Sequence, residues 1–208
     1  MPVDLKALLA PAQTALLMME CQEGIIGGGA AALGALGEAV QRNGTVRQIA
    51  RVLHAARGAK VPVFHCTMAR RPDGGGAVVN CLLLAATRKS GGPGLLPGSP
   101  QWAPVKELTP VDGDYVLMRY HGISPFHETE LDQLLRNLGV KTVVATGVSV
   151  NVGIPALTIE AVNAGYQVVI PREAVTGTPD EYVAAMMQHT LRLLATIAPV
   201  DDVVAAWG

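Results

Sequence analysis

The runs TVVATG (142–147) and QVVIP (167–171) lack the apolar–polar alternation of a strand that faces water on one side. Strands that read as continuously apolar are covered on both faces, as in a parallel sheet, so helices must lie on both sides of it. Further short β-type runs at 15–21, 61–68 and 115–119 are separated by longer segments with helical spacing, which is the βαβ rhythm. The predicted fold is therefore α/β, a doubly wound, mostly parallel six-stranded sheet with helices on both faces, Rossmann-like in outline. With 208 residues and no break in composition, one domain spanning 1–208 is expected.

The helices carry their own punctuation. Thr178, Pro179 and Glu181 fit the N-cap, N1 and N3 positions of a capping box ahead of the apolar Tyr182, Met186 and Leu193. Leu131, Leu134, Leu135 and Leu138 fall on one helical face that should be buried, with Gly139 as the stop. One long helix is expected over 36–57, and another from near Asn151 to Gly165.

Composition narrows the function. A net charge of -1 offers no field for a polyanion, so nucleic acid is not an expected partner. The densest cationic group, Arg70 and Arg71 beside Arg88 and Lys89, is too small for a phosphate track and is expected to be a solvated loop. No run reaches the roughly 20 apolar residues of a membrane span, and the N-terminus lacks a signal-peptide layout, so a cytoplasmic protein without a membrane partner is expected. Half of the residues are hydrophobic and only 16% are charged, which predicts burial between subunits and hence a homo-oligomer, dimer or tetramer. Three cysteines without CxxC or CxxH spacing predict reduced thiols, not disulfides or structural zinc. The glycines at 27–29 and within 72–98 follow no phosphate-loop pattern and predict flexible loop, such as a lid over a pocket.

In doubly wound sheets the ligand crevice lies outside the carboxyl ends of the strands. Those ends read Glu20-Cys21-Gln22, His65-Cys66-Thr67, Arg119-Tyr120-His121 and Gly147-Val148-Ser149-Val150-Asn151-Val152-Gly153. His65 and His121 are candidates for substrate hydrogen bonding or acid–base work. Ser149 and Asn151 sit in a turn before a helix, where backbone N–H groups converge and can hold an oxyanion or carboxylate. Alternation along the strand turns Cys21 away from Glu20, so Cys21 and Cys66 are expected to be core residues.

These segments, in this order, resemble the isochorismatase-like hydrolase superfamily, which includes nicotinamidases, N-carbamoylsarcosine amidases and isochorismatases. ALLMMECQEG stands where the family has a strand ending in Asp-x-Gln, and the stretch from LLPGSPQW to KTVVATGV follows its Lys-bearing strand, Ser-x-Phe, helix and strand. GVSVNVGI matches the Gly-Val segment that ends in the family's Cys. In the cysteine-using members a thiolate attacks an amide carbon with help from an Asp and a Lys, because a free thiol is protonated near neutrality. The matching positions here are Glu20, Arg119 and Gly153, with Gln22 after the first of them. The spacing to Phe126 is one residue longer than in the family, which leaves Tyr120 as the alternative occupant of the lysine position.

Gly153 cannot form an acyl-enzyme, and GVSVNVGI is closer to the isochorismatase branch, which has Gly there and a carboxyl acting as general acid toward an enol ether. A Glu in an apolar pocket can give or take a proton, whereas an Arg stays protonated and can only bind or stabilise negative charge. The resemblance also implies a cis peptide after Val148. It implies no zinc, since the nicotinamidase-type Asp-x-His pair is replaced by His65-Cys66-Thr67-Met68.

The expected function is a hydrolase-like protein that takes a small polar or anionic molecule by acid–base chemistry without a cysteine nucleophile. Glu20 and Arg119 are the expected catalytic residues beside Gly153. Gln22, His65, Tyr120, His121, Ser149 and Asn151 are expected to bind substrate, with no cofactor and no metal. The alternatives are a catalytically inactive member that serves as a small-molecule-binding or assembly protein, and a cysteine hydrolase acting through Cys21 or Cys66.

Overall fold

The computed structural model describes residues 3–28, 34–89 and 94–208. Its strands are β1 (Thr14–Met19), β2 (Val63–Met68), β3 (Tyr115–Arg119), β4 (Thr142–Val148), β5 (Gln167–Pro171), β6 (Val175–Thr176) and β7 (Thr196–Ala198). They form one sheet in the order β3-β2-β1-β4-β5-β7, with β6 beside the end of β4 and the paired strands running parallel. The sheet is seven-stranded, not six-stranded, because β6 and β7 are only two and three residues long and too short to carry a hydrophobic period. The helices are α1 (Leu5–Leu8), α2 (Glu23–Ile26), α3 (Gly34–Arg42), α4 (Thr45–Gly58), α5 (Leu82–Lys89), α6 (Leu131–Asn137), α7 (Gly153–Asn163), α8 (Asp180–Met186), α9 (Arg192–Leu194) and α10 (Val200–Trp207).

Strand alternation divides the interior into two cores. Leu16, Met18, Val144 and Val169 face one, with Ile49, Val52 and Leu53 of α4 and Val203 and Trp207 of α10. Ala15, Leu17, Met19, Val143, Ala145 and Val168 face the other, with Leu131 and Leu135 of α6 and Ile154 and Leu157 of α7. Both faces of the central strands are thus covered, as their unbroken apolar runs predict.

Several helix boundaries differ from the sequence expectation. The long helix over 36–57 is two helices, because Gly44 adopts φ +61 between α3 and α4 and the left-handed backbone ends the first. The capping box at Thr178 does not form: Pro179 is the N-cap, α8 starts at Asp180, and the backbone of Thr178 is held by Asn151. Tyr182 and Leu193 are exposed, and Leu138 lies at the edge of the α6 face, 37% exposed. Gly139 and Gly165, with φ +71 and +92, do end their helices as expected. The glycine-rich stretch 72–98 is not all loop, since it contains α5; residues 29 and 90–93 of the two glycine-rich segments lie outside the described residues. Among the described residues no helix is long and apolar enough to cross a membrane.

The chain lays β2 and β3 on one side of β1, then returns to place β4 on the other. This reversal puts a crevice outside the carboxyl ends of β1 and β4. There Gly147 has φ +103, and a Cβ on it would overlap the carbonyl oxygen of Met19. Gly147→Ala is expected to cost more than about 3 kcal/mol, because strain and overlap add. Gly139→Ala, with open space around it, should cost about 1 to 2 kcal/mol. Urea unfolding of both variants measures the contrast.

Candidate active site

The first residue beyond β1 is Glu20, whose φ of +53 is unusual for a residue with a side chain. Its N–H donates to the carbonyl of Cys66 at 3.0 Å, which fixes the turn, and its carboxylate pairs with Nη2 of Arg119 at the end of β3. Strand β2 lies between β1 and β3, so the long Arg side chain spans it. Arg119 Nη2 also donates to the carbonyl of Ile123 at 3.0 Å. The Arg119 side chain is 3% exposed against 19% for Glu20, so the pair presents its carboxylate end outward. Nε and Nη1 of Arg119 are buried without an acceptor among the described residues, and the guanidinium is held through Nη2 alone.

Beyond β4 the Val148–Ser149 peptide is cis, as the resemblance implied. The carbonyl of Ser149 accepts from the N–H groups of Val152 at 3.2 Å and Ile154 at 2.9 Å, which closes the turn into α7. Gly153 opens that helix. A Cβ there would lie 2.9 Å from the Val148 carbonyl oxygen and 3.1 Å from Cε of Met19, so the backbone leaves no room for a side chain. Glu20, Ser149 and Gly153 together line a cavity of about 130 Å³ whose walls include Ile25, Leu36, Met68, Leu95, Ile123 and Val152.

The remaining predicted site residues go elsewhere. Gln22 is buried, donates to the carbonyls of Met68 and Trp102 at 2.9 Å, and accepts from the N–H of Met68 at 2.8 Å, which ties the loop after β1 to the end of β2. Asn151 clamps the backbone of Thr178, donating to its carbonyl at 2.6 Å and accepting from its N–H at 3.0 Å. Tyr120 and His121 are exposed and line a neighbouring hollow with Glu128 and Thr129. His65 is not among the residues lining the cavity. Its Nε2 lies 3.1 Å from Oδ2 of Asp114, which also pairs with Arg57 of α4. Burial would raise the Asp114 carboxyl, but hydrogen bonds from Arg57, His65 and the Val111 N–H hold it below the usual carboxylate range.

Cys21 and Cys66 are core residues as expected. Burial pushes both thiols up, Cys66 to about 12, which removes the thiolate a nucleophile needs. Sequence reasoning missed Arg70. It lines the cavity, half-buried, while Arg71 beside it is exposed and paired with Asp73 at 2.7 Å. The signal was positional, since Arg70 follows the carboxyl end of β2 by two residues. Among the described residues no three His, Cys, Asp or Glu side chains stand together as a metal site.

A family model described as "Isochorismatase domain" matches residues 14–202, so the chain belongs to the isochorismatase family. It is 35% identical over 92 residues to the isochorismatase family protein YwoC of Bacillus subtilis, covering 44% of this chain and 47% of that one. It is 33% identical over 144 residues to ureidoacrylate amidohydrolase RutB of Methylorubrum extorquens, covering 67% of this chain and 48% of that one. The chain spans about half the length of the curated relatives it matches. Among solved structures, an isochorismatase family protein from Desulfovibrio vulgaris superposes with a TM-score of 0.77 at 28% identity, over 93% of this chain and 98% of that one.

Burial lowers the His65 pKa below its ordinary 6.5 despite the pull of Asp114, so below that value the unfolded chain binds a proton the folded one resists. The stability tied to His65 is therefore present above about pH 6.5 and lost as pH falls. Urea midpoints measured from about pH 7.5 to about pH 5.5 should drop more steeply for wild type than for His65→Gln. Gly153→Ala should lower stability by about 1 to 3 kcal/mol in the same assay, since the added methyl must displace backbone.

Proposed function

We propose that the protein is a hydrolase of a small polar or anionic molecule that works by acid–base chemistry at Glu20, with no covalent intermediate on the enzyme. The observation that carries this reading is the Arg119-paired Glu20 carboxylate in the wall of a mostly apolar cavity, beside a position 153 that has no side chain. Kinship with an amidohydrolase, as RutB is named, supports bond cleavage by water.

In this reading the Glu20 carboxylate takes a proton from a water molecule as its oxygen bonds to the electrophilic carbon. The same proton then passes to the leaving group as the old bond breaks. One water is consumed and Glu20 returns to its starting form. Arg119 is a positioning residue, which holds the carboxylate toward the cavity and keeps its charge matched in a weakly solvated place. The amino end of α7, at Gly153, supplies partial positive charge where negative charge develops on the substrate.

The competing reading, a member that binds a ligand without turning it over, draws on the mutual neutralisation of Glu20 and Arg119. A panel of enol ethers, amides and small carboxylic esters separates the two. Wild type is expected to give saturable turnover, and Glu20→Gln to lose at least about 100-fold in kcat. Treatment with iodoacetamide should leave the rate of a Cys81→Ser variant unchanged, since Cys81 is exposed and the other two cysteines, Cys21 and Cys66, are buried. Equal rates in Glu20→Gln remove Glu20 from the mechanism. Ligand-dependent thermal shifts with no product from any compound establish the binding reading instead.

A further inference from the structure

The cavity beside Glu20 holds a second cation, Arg70. Its side chain is tethered, because Nη2 donates to the carbonyl of Thr87 on α5 at 2.9 Å, and its own N–H donates to the carbonyl of Leu95 at 2.9 Å. Among the described residues no carboxylate lies within ion-pair distance of it. By contrast, Arg42, Arg51, Arg57, Arg71, Arg119 and Arg136 each have one. The charge of Glu20 is already matched by Arg119, so Arg70 gives the cavity its net positive charge.

The rest of the wall is mostly apolar, with Ile25, Leu36, Met68, Leu83, Leu95 and Val152. A guanidinium set among apolar side chains is weakly solvated, and its planar fork of donors fits a carboxylate edge-on. A dianion such as phosphate would leave one negative charge unmatched there, and a neutral molecule would leave the cation unmatched. The volume of about 130 Å³ is close to the roughly 150 Å³ of an apolar cavity that takes benzene. It therefore admits a body of about one six-membered ring.

We propose that Arg70 is the carboxylate anchor of this cavity, and that the molecule acted on is a small monocarboxylate with an apolar body, held with its labile bond toward Glu20. The identity of the substrate rests on the hydrolase reading above. The anchor itself is a statement about binding and is tested without turnover.

The test is calorimetric titration of the full chain with benzoate and with benzamide, which share shape and differ in charge. Wild type should bind benzoate at least about 10-fold tighter than benzamide, the size expected of a charge-assisted pair. Arg70→Gln should bind the two alike, Arg70→Lys should keep part of the preference, and Arg71→Gln should keep all of it. Circular dichroism checks that each variant folds. If Arg70→Gln does not fold, the wild-type comparison and Arg70→Lys still decide.

No preference for benzoate in wild type overturns the proposal, as does an undiminished preference in a folded Arg70→Gln. The two readings fail separately. Turnover of panel compounds with no preference for benzoate in the titrations sinks the anchor and spares the hydrolase. An Arg70-dependent preference with no turnover of any compound sinks the hydrolase and spares the anchor.

Discussion

All six residues of β1 are buried, and the rest of the molecule is arranged around that fact. A strand with no exposed residue must have partners on both edges and cover on both faces, because a backbone group left unpaired away from water and an apolar face bared to water are both costly. β2 and β4 supply the edges, and the helices flanking the sheet supply the cover. The chain can place a charge only where this strand ends. That is why Glu20 stands at the switch point of the sheet, with its backbone bent into a left-handed turn as the strand leaves the core.

Charge in the site is organised by burial. Arg119 lies deeper than Glu20, so the cation is the fixed member of the pair and the carboxylate the member that faces the cavity. An ion pair taken out of water repays its desolvation only with good geometry. Here Arg119 engages through one nitrogen, with Glu20 and the Ile123 carbonyl as its acceptors. Such a pair adds little to stability and is better understood as a way of orienting a carboxylate. The His65, Asp114 and Arg57 group is the structural counterpart, in which the Arg57–Asp114 ion pair, with His65 hydrogen-bonded to the same carboxylate, joins α4 to the strands.

The parallel sheet was legible because its signal is an average over whole strands: 142–147 and 167–171 cannot be amphipathic in any register. The turn around Gly153 and the Glu20 and Arg119 positions were legible because they sit at strand ends. What stayed hidden depended on single contacts. Gln22 and Asn151 look like ligand-binding amides in a sequence, and in the structure their hydrogen bonds go to backbone of Met68, Trp102 and Thr178. His65 sits on a buried strand, and nothing local announces that Asp114, 49 residues away, comes to meet it. Arg70 and Arg71 are indistinguishable as text, yet one lines the cavity and the other faces solvent. Only the direction of the chain beyond β2 separates them.

The crowding at Gly153 also bears on how such a chain can change over generations. A side chain at position 153 would meet the Val148 carbonyl oxygen at 2.9 Å and the methyl of Met19 at 3.1 Å. A cysteine placed there would arrive in a cradle already filled, and it would be selected against for stability before any new reactivity could be tested. Making room takes a shift of the Val148 backbone, whereas the end of the Met19 side chain can swing aside. A glycine at this one position is in this way held in place by the backbone packed against it.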